Sequence, residues 1–333
     1  MKILVTGGMG YIGSHICVEL LNNNHDVIVI DDLSNSQIEV KDYIKEITHK
    51  DITFYQFNIL DEAKTKTVFM NHHIDAIIHC AAFKAVGESV EKPIEYYTNN
   101  LTSTLIIAKM MKDFKVNQIV FSSSATVYGD PDTVPISENS PLKETTNPYG
   151  TSKAMMEKIL IDVQHALPEM SVSLLRYFNP IGAHESGLLG ENPKGIPNNL
   201  FPYIMKVAIG ELKTLAVFGN DYPTKDGTGV RDYIHVVDLA KAHVLAIEKY
   251  QEAGVHITNL GTGCGYSVLE VVKAFEKVNH VKVNYEIKER RPGDIATCFA
   301  DPSKAKKELN WVATKNLDDM CRDTWNFAKK QLV

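Results

Sequence analysis

Short apolar runs rich in β-branched residues alternate with helical patterns through the first half of the chain. The runs occupy residues 3–5, 27–30, 76–78 and 119–121, and helical patterns cover, among others, 14–22 and 101–114. Runs without strict polar alternation are typical of strands that are covered on both faces. Since strands and helices alternate, the crossovers should be right-handed, and the chain is predicted to be an α/β protein with a doubly wound parallel sheet.

The amino-acid composition of the chain changes after Asn179. A helix is predicted at 149–165 and a strand at 171–176, but 180–202 and 216–230 read as loops rich in glycine, proline and asparagine, and such loops often carry function. Further helices are predicted at 203–210, 237–250 and 268–278, and a strand at 256–260. We therefore expect one domain of residues 1–179 plus about 234–263. A smaller α/β cap, of about 180–233 plus 264–333, would bind the substrate.

Charge and cysteine content exclude several classes of protein. The chain has 35 basic and 41 acidic residues, and this net charge of -6 does not favour binding to nucleic acid or to an anionic membrane. Its five cysteines are odd in number and lack the spacing of a metal site, which suits a reducing compartment. The sequence opens on a predicted strand and has no apolar run long enough to span a bilayer. We expect a cytoplasmic protein without a metal and without nucleic-acid or membrane partners.

A glycine-rich turn joins the first strand to the first helix. Gly7, Gly10 and Gly13 allow a tight turn, and the helix N-terminus that follows offers N–H groups to a pyrophosphate. Asp31 ends the second strand, where a carboxylate accepts hydrogen bonds from an adenosine ribose and repels a 2′-phosphate. Asp32 doubles the negative charge. These residues predict a Rossmann-like dinucleotide site that prefers NAD to NADP.

Tyr149 and Lys153 are four residues apart, and on a helix they share one face. Pro148 precedes them and suits a first helical turn. Free tyrosine has a pKa of about 10, but a nearby ammonium and an oxidised nicotinamide would both favour the phenolate. Ser124 follows the strand at 118–121, and ligands of open α/β sheets bind beyond the carboxyl ends of strands. The three residues predict acid/base chemistry on a substrate hydroxyl in a nicotinamide-dependent oxidoreductase.

Several longer motifs extend this interpretation over nearly the whole chain. They are residues 6–13, 84–89, 122–129, 175–180, 196–200, 218–222 and 229–235. With them the chain resembles the extended short-chain dehydrogenase/reductase family, and within it the UDP-galactose (UDP-glucose) 4-epimerases. The resemblance implies interconversion of UDP-galactose and UDP-glucose through a 4-keto intermediate, with tightly bound NAD, in carbohydrate metabolism. It also implies a homodimer joined through helices resembling 93–114 and 149–165.

The resemblance also assigns residues to sites. Ser124, Tyr149 and Lys153 would be catalytic. The cofactor would be bound by Gly7, Gly10, Tyr11, Ile12, Gly13, Asp31, Asp32, Asn58, Ile59, Cys80, Ala81, Lys84, Asn99, Ser122, Tyr149, Lys153, Tyr177 and Phe178. The UDP-sugar would be bound by Ser124, Tyr149, Asn179, Asn199, Leu200, Ala216, Phe218, Arg231, Arg291, Asp294 and Cys298. The two arginines make chemical sense because guanidinium forks bind a diphosphate well.

Two positions depart from the common pattern of the family, and a third lies where its members differ. Asn58 stands where aspartate commonly faces the adenine amino group, and its amide oxygen still accepts that bond. Cys80 replaces a larger apolar residue, and we interpret it as packing and not as a catalytic thiol. Cys298 stands where other members have tyrosine or a small residue near the sugar. A cysteine leaves room for an acetamide group, so we expect UDP-N-acetylhexosamines to be accepted as well.

Two alternative functions follow from the same residues. A nucleotide-sugar 4,6-dehydratase or decarboxylase would have the same fold, but such relatives usually carry an acid beside the catalytic serine or threonine. Ala125 and Thr126 occupy those places here. A non-catalytic NAD-sensing regulator would keep the glycine turn, yet it would have no reason to keep Tyr149 and Lys153 together. An assay with UDP-galactose and no added cofactor separates these alternatives.

Overall fold

The computed structural model describes residues 1–194, 199–291 and 293–332, and the chain forms two compact units. Unit 1 consists of Met1–Gly129, Leu142–Arg176 and Ala240–Thr258. Unit 2 consists of Asp130–Pro141, Tyr177–Leu239 and Asn259–Val333. The segment 130–141, which the division proposed from the sequence leaves with the cofactor domain, thus packs with unit 2.

The elements follow one another in a regular alternation through the first half of the chain. They are β1 (Lys2–Thr6), α1 (Tyr11–Asn22), β2 (Asp26–Asp31), α2 (Val40–Thr48), β3 (Thr53–Gln56), α3 (Glu62–Asn71), β4 (Ala76–His79), α4 (Val86–Glu91), α5 (Pro93–Phe114), β5 (Gln118–Ser124), α6 (Pro148–Ala166) and β6 (Ser171–Tyr177). Then come β7 (Asn179–Ile181), α7 (Leu200–Ala208), β8 (Leu215–Phe218), β9 (Val230–His235), α8 (Val236–Lys249), β10 (Gly254–Leu260), β11 (Gly265–Ser267), α9 (Val268–Asn279), β12 (Tyr285–Lys288), β13 (Thr297–Cys298) and α10 (Leu317–Lys330).

The main sheet has seven strands in the order β10-β6-β5-β4-β1-β2-β3. Pairing is parallel from β3 through β2, β1 and β4 to β5. The strand order reverses between β1 and β4, and in doubly wound sheets the crevice at such a point is where a dinucleotide binds. Successive residues of a strand point to opposite faces, and Leu4 with Val5 and Ile28 with Val29 are almost fully buried, so both faces of the sheet are covered. The predicted fold class is confirmed.

Local capping determines where the functional helix of unit 1 begins. Asn147 is the N-cap of α6, and its Oδ1 accepts the backbone N–H of Gly150 over 2.9 Å. Pro148 occupies the first turn, as the sequence predicts, because it has no N–H to leave unpaired there. The start of α6 is therefore fixed one residue before Tyr149.

Unit 2 is built on small sheets. β9 pairs with β7, β11 and β13, and β8 pairs in parallel with β12. Phe201 packs at 6.4 Å between ring centroids against both Tyr233 and Phe275, which places an aromatic centre in the core. The interpretation of 216–230 as one loop was wrong at its start, where β8 lies. Along the described ranges, the chain contains no helix long and apolar enough to cross a membrane.

Candidate active site

The glycine-rich turn of unit 1 has two positions that accept no side chain. Gly7 has a φ of 70°, and a Cβ there would lie 2.9 Å from the backbone nitrogen of Ala81. A Cβ on Gly13 would lie 2.2 Å from the carbonyl oxygen of Gly7, so α1 approaches the turn only because this residue is glycine. Gly10 is the N-cap of α1 and brings no side chain over the N–H groups that follow. This bare backbone at a helix N-terminus fits the pyrophosphate of a dinucleotide.

Asp31 holds the turn in place from the end of β2. Its Oδ2 accepts the N–H of Met9 over 3.0 Å, and its Oδ1 accepts from the Leu33 N–H and the Ser36 hydroxyl, each over 2.9 Å. Burial raises the pKa of Asp31, and these bonds act in the opposite direction. A carboxylate offers about four acceptor positions. The three internal bonds therefore leave capacity for a ribose hydroxyl.

Asp32 and Asn58 form a hydrogen-bonded pair at the exposed edge of this site. Asn58 Nδ2 donates to Asp32 Oδ2 over 2.8 Å, and Asn58 Oδ1 accepts the N–H of Leu60 over 2.9 Å. The amide oxygen has a second lone pair, which matches the bond to an adenine amino group expected from the sequence. Ile59, by contrast, is 7% exposed, and its side chain packs in the hydrophobic core.

The other expected cofactor residues of unit 1 lie around the same turn. The Lys84 ammonium is 5.9 Å from the centroid of the Tyr11 ring, close to the start of α1. Cys80 Sγ lies 3.0 Å from Ser122 Oγ, and burial raises the pKa of this thiol to about 11. It is therefore neutral near pH 7, in agreement with its interpretation as a packing residue. Asn99 donates from Nδ2 to the buried asparagine that follows it over 3.0 Å.

Ser124, Tyr149 and Lys153 meet at the carboxyl end of β5. Ser124 is the last residue of the strand, and its hydroxyl hydrogen-bonds the phenol of Tyr149 and accepts the N–H of Thr126 over 3.2 Å. Lys153 lies one turn after Tyr149 on α6. Its Nζ donates to the carbonyl oxygen of Ser122 over 2.7 Å. The structure thus brings the three expected catalytic residues into one buried cluster.

Burial governs the ionisation of this cluster. It raises the pKa of Tyr149 above the ordinary value, while the hydrogen bond with Ser124 lowers it. It also lowers the pKa of Lys153 from 10.5 to about 8. The Lys153 ammonium donates to the Ser122 carbonyl, and the expectation that its charge favours the phenolate stays a prediction.

In unit 2, three expected substrate residues form one cluster. The Arg291 guanidinium lies 4.9 Å from the centroid of the Phe218 ring, and its Nε donates to Asp294 over 2.9 Å. Phe218 ends β8 and is 36% exposed, so a flat ring face is available to a planar base. Ala216 lies two residues earlier on the same strand, paired with Glu286 of β12.

Arg231 and Cys298 are neighbours in the second sheet of unit 2. Cys298 of β13 is in register with Arg231 of β9, and the arginine Nη1 donates to the carbonyl oxygen of Val230 over 2.9 Å. Burial raises the pKa of Tyr233 to about 12, and both Arg231 and Arg291 act to lower it. The two arginines therefore share one neighbourhood, which gives it two positive charges suited to a diphosphate.

The remaining expected residues of unit 2 lie on its loops and element ends. Tyr177 and Phe178 are buried, and Asn179 starts β7 in register with Tyr233. Asn199 is the N-cap of α7, and its Nδ2 donates to Glu191 Oε1 over 2.6 Å. Leu200 is the first residue of α7. Residues 196–198 of the expected motif, and Pro292, lie outside the described residues.

Comparison with known proteins places the chain in a family. The family model described as GDP-mannose 4,6 dehydratase matches residues 4–324. The UDP-glucose 4-epimerase of Pasteurella multocida (strain Pm70) is 60% identical over 331 residues, which cover 99% of this chain and 98% of that protein. That of Bacillus subtilis (strain 168) is 60% identical over 333 residues, covering 100% and 98%. The crystal structure of the Bifidobacterium longum UDP-glucose 4-epimerase with NAD+ and UDP is 56% identical with a TM-score of 0.98, covering 100% of this chain and 99% of that one.

The chain belongs to the UDP-glucose 4-epimerase family. The resemblance drawn from the sequence motifs is confirmed, and so is membership of the extended short-chain dehydrogenases/reductases. The description of the family model names a dehydratase, which was the alternative that Ala125 and Thr126 argued against. The relatives of high identity are epimerases over their full length.

The sequence interpretation missed one group of residues in this epimerase. Ser123, Glu157 and Arg176 form a buried hydrogen-bonded network directly behind the catalytic cluster. One signal was present, because Glu157 follows Lys153 by four residues and continues the face that carries Tyr149. Its arginine partner is on another strand and could not be inferred from spacing.

Proposed function

We propose that the protein interconverts UDP-galactose and UDP-glucose by oxidation and re-reduction at carbon 4 of the hexose, with NAD bound in unit 1. Family membership supports the reaction. The observation that carries it is the buried cluster of Ser124, Tyr149 and Lys153 in the unit whose glycine turn fits a dinucleotide. An NAD-sensing regulator has no use for such a cluster, and a dehydratase would need a further acid in it.

NAD, held by the glycine turn and Asp31, would supply the hydride acceptor for oxidation at carbon 4 and the hydride donor for re-reduction of the opposite face. We assign to Tyr149 the proton of the 4-hydroxyl, which the phenolate removes during oxidation and the phenol gives back during reduction. Ser124, hydrogen-bonded to the same phenol, holds the sugar oxygen in line with it. Lys153 supplies the positive charge that lowers the cost of the phenolate. The protons and electrons balance, so neither cofactor nor acid is consumed.

The nucleotide is assigned to unit 2. Phe218 offers a ring face to the uracil, and Arg231 and Arg291 offer guanidinium forks to the diphosphate. Asn179, Asn199, Leu200, Ala216 and Asp294 complete the proposed set. Arg291 is paired with Asp294, so the diphosphate competes with a carboxylate for this side chain. Holding the nucleotide lets the hexose alone turn over between the two hydride transfers.

Acceptance of N-acetylated sugars rests on Cys298. Its side chain is half-buried beside Arg231, and a thiol occupies much less volume than a phenol. We propose that the epimerase also acts on UDP-N-acetylglucosamine and UDP-N-acetylgalactosamine. Cys298→Tyr should suppress turnover of UDP-N-acetylgalactosamine and spare that of UDP-galactose, with Cys264→Tyr at an exposed position as control. Equal losses of turnover on the two substrates would contradict this proposal.

Homodimer formation and a cytoplasmic location are proposed on family grounds. In unit 1, α5 packs against α6, yet Ile94 and Leu105 on α5 and Met155 on α6 are 76%, 52% and 44% exposed. Apolar side chains on two adjacent helices suit a second copy of the chain. Sedimentation should give a dimer that Leu105→Glu dissociates. A monomeric parent protein would exclude this arrangement.

One experiment tests the main proposal. Protein purified without added cofactor is assayed with UDP-galactose, and the bound nucleotide is released by denaturation and identified. We expect turnover without any addition, and NAD in the released fraction. Protein that is free of cofactor and needs NADP would contradict the proposal, and protein that holds NAD but does not act on UDP-galactose would favour the regulator.

A further inference from the structure

Glu157 and Arg176 form an ion pair in the interior of unit 1. Arg176 Nε donates to Glu157 Oε1 over 2.9 Å and Nη2 to Oε2 over 2.6 Å, and the two side chains are 3% and 2% exposed. Arg176 Nη1 also donates to the Tyr128 hydroxyl over 3.1 Å. Replacing such a pair by apolar residues is often neutral or stabilising, so stability is a weak reason for burying it. Its surroundings supply a different reason.

Glu157 lies on the catalytic face of α6. Tyr149, Lys153 and Glu157 follow one another at four-residue intervals, which places them on one side of the helix. The serine run 122–124 at the end of β5 faces all three. The carbonyl of its first serine accepts from Lys153, the hydroxyl of the second donates to Glu157, and the hydroxyl of the third bonds to Tyr149. This short segment of β5 therefore fixes the position of all three side chains on that face of α6.

The charge of Glu157 also acts on Lys153. Burial lowers the pKa of Lys153, whereas Cys80 and Glu157 raise it. The Cys80 thiol has a pKa of about 11 and the His79 imidazole one of about 3, so both are neutral near pH 7. Tyr149 is likewise a neutral phenol there, since its pKa is raised. Of the described groups that act on Lys153, Glu157 is therefore the one that carries negative charge at that pH, with Arg176 behind it.

We propose that Glu157 is a positioning residue, held by Arg176 and Ser123, whose carboxylate keeps Lys153 charged and fixes the face of α6 that carries Tyr149. The part played by Lys153 in turnover rests on the proposed function. The effect of Glu157 on the ionisation of Lys153 does not, because it follows from the protein's own groups.

The first test measures the ionisation of Lys153 directly. Lysine labelled with carbon-13 at Cε is followed by NMR through a pH titration, and Lys153→Met identifies the signal. The double variant Glu157→Met/Arg176→Met removes both charges and leaves neither unpaired. Relative to the parent, its Lys153 signal should titrate about half a pH unit or more lower. The control, Asp162→Asn, removes an exposed carboxylate from the same helix and should leave the signal in place.

The second test measures turnover of UDP-galactose against pH. The basic limb of kcat should move to lower pH together with the Lys153 signal, while KM changes little. A folded double variant with an unchanged Lys153 titration would overturn the proposal. If the double methionine variant does not fold, the same titration of Lys153 is measured in Glu157→Gln/Arg176→Gln, which retains hydrogen bonding without charge. An unchanged Lys153 titration in this variant would likewise overturn the proposal. A parent protein inactive on UDP-galactose would refute the proposed function and leave the titration result as it is.

Discussion

The two units hold their functional side chains in opposite ways. In unit 1, Tyr149 and Lys153 are 9% and 4% exposed, and each is hydrogen-bonded to the serine run. In unit 2, the side chain of Arg291 is 54% exposed and Phe218 is 36% exposed. Groups that are already fixed contribute to orientation without further cost, whereas exposed ones lose side-chain freedom when a ligand binds. The groups proposed for acid/base chemistry are therefore pre-organised, whereas the side chains proposed to bind the nucleotide would be ordered by the ligand itself.

The comparison is tested most severely by Tyr149→Phe. If unit 1 carries the chemistry alone, kcat should fall by about 10²–10⁴ while KM for UDP-galactose stays near that of the parent. Steady-state kinetics measure both quantities, and Tyr43→Phe on α2 serves as the control. A variant that keeps more than about a tenth of the parent's kcat would remove Tyr149 from its role.

Substitution of half-buried Arg231 or exposed Arg291 should have the opposite effect on the two kinetic constants. Arg231→Ala and Arg291→Ala each remove a charge-assisted contact, so KM should rise roughly 10–100-fold with kcat within about threefold of the parent. The KM of Arg291→Lys should lie between those of the parent and of Arg291→Ala, because an ammonium keeps the charge but cannot form the planar fork. Arg322→Ala, at an exposed ion pair on α10, is the control. A fall in kcat at constant KM would mean that the nucleotide-binding groups also organise the chemistry.

Burial of Lys153 makes stability and activity respond to pH in opposite directions. Its pKa is about 8 in the folded chain and 10.5 ordinarily, so between these values the unfolded chain binds a proton that the folded chain lacks. The free energy of unfolding therefore rises with pH over this window, by on the order of 1–3 kcal/mol from this group, while activity that needs the ammonium declines. Urea unfolding should show this rise in the parent and less of it in Lys153→Met. Parallel curves for the two proteins would argue against a buried, partly deprotonated lysine.

The smallest effect is expected at the exposed rim of unit 1. Asn58→Asp places a second carboxylate at the position that now donates to Asp32, and the free energy of unfolding should fall by less than about 1 kcal/mol. The loss should shrink at high salt, because exposed charges are screened. The exchanged pair Asp32→Asn/Asn58→Asp should recover it. A larger loss of unfolding free energy that the exchanged pair does not restore would show that the Asp32–Asn58 pair is as tightly organised as the catalytic cluster.

Elements with strong local signals were predicted well. Burial and capping act over a few residues, so a short segment is enough to predict them. This holds for the apolar runs of β1, β2, β4 and β5 and for the proline at the start of α6. Two of the strands that were not predicted, β12 and β13, have no such signal. All residues of β12 are exposed, and β13 has two residues, so their pairing depends on neighbours that are distant in the chain.

The same distinction applies to the candidate site. The glycine turn and the Tyr149–Lys153 spacing are local patterns, and the residues lie where those patterns indicate. The partner of Lys153 is not local, since the carbonyl of Ser122 reaches it only because β5 lies under α6. The pairing of Glu157 with Arg176 likewise requires β6 to lie beside β5. Sequence spacing predicts which residues share a face, and strand order decides what that face meets.

The contact of Gly7 with Ala81 has a consequence for how the chain is made. The turn of residues 7–13 has Ala81 as its wall, and the preceding Thr6 accepts the N–H of Cys80 on its carbonyl oxygen over 3.1 Å. A growing chain that has not yet reached these residues contains the whole glycine motif but lacks the surface against which the turn is shaped. Fragments that end before the fourth strand should therefore not retain the dinucleotide. The glycine motif of residues 7–13 can therefore become a binding site only after Ala81 has been added to the growing chain.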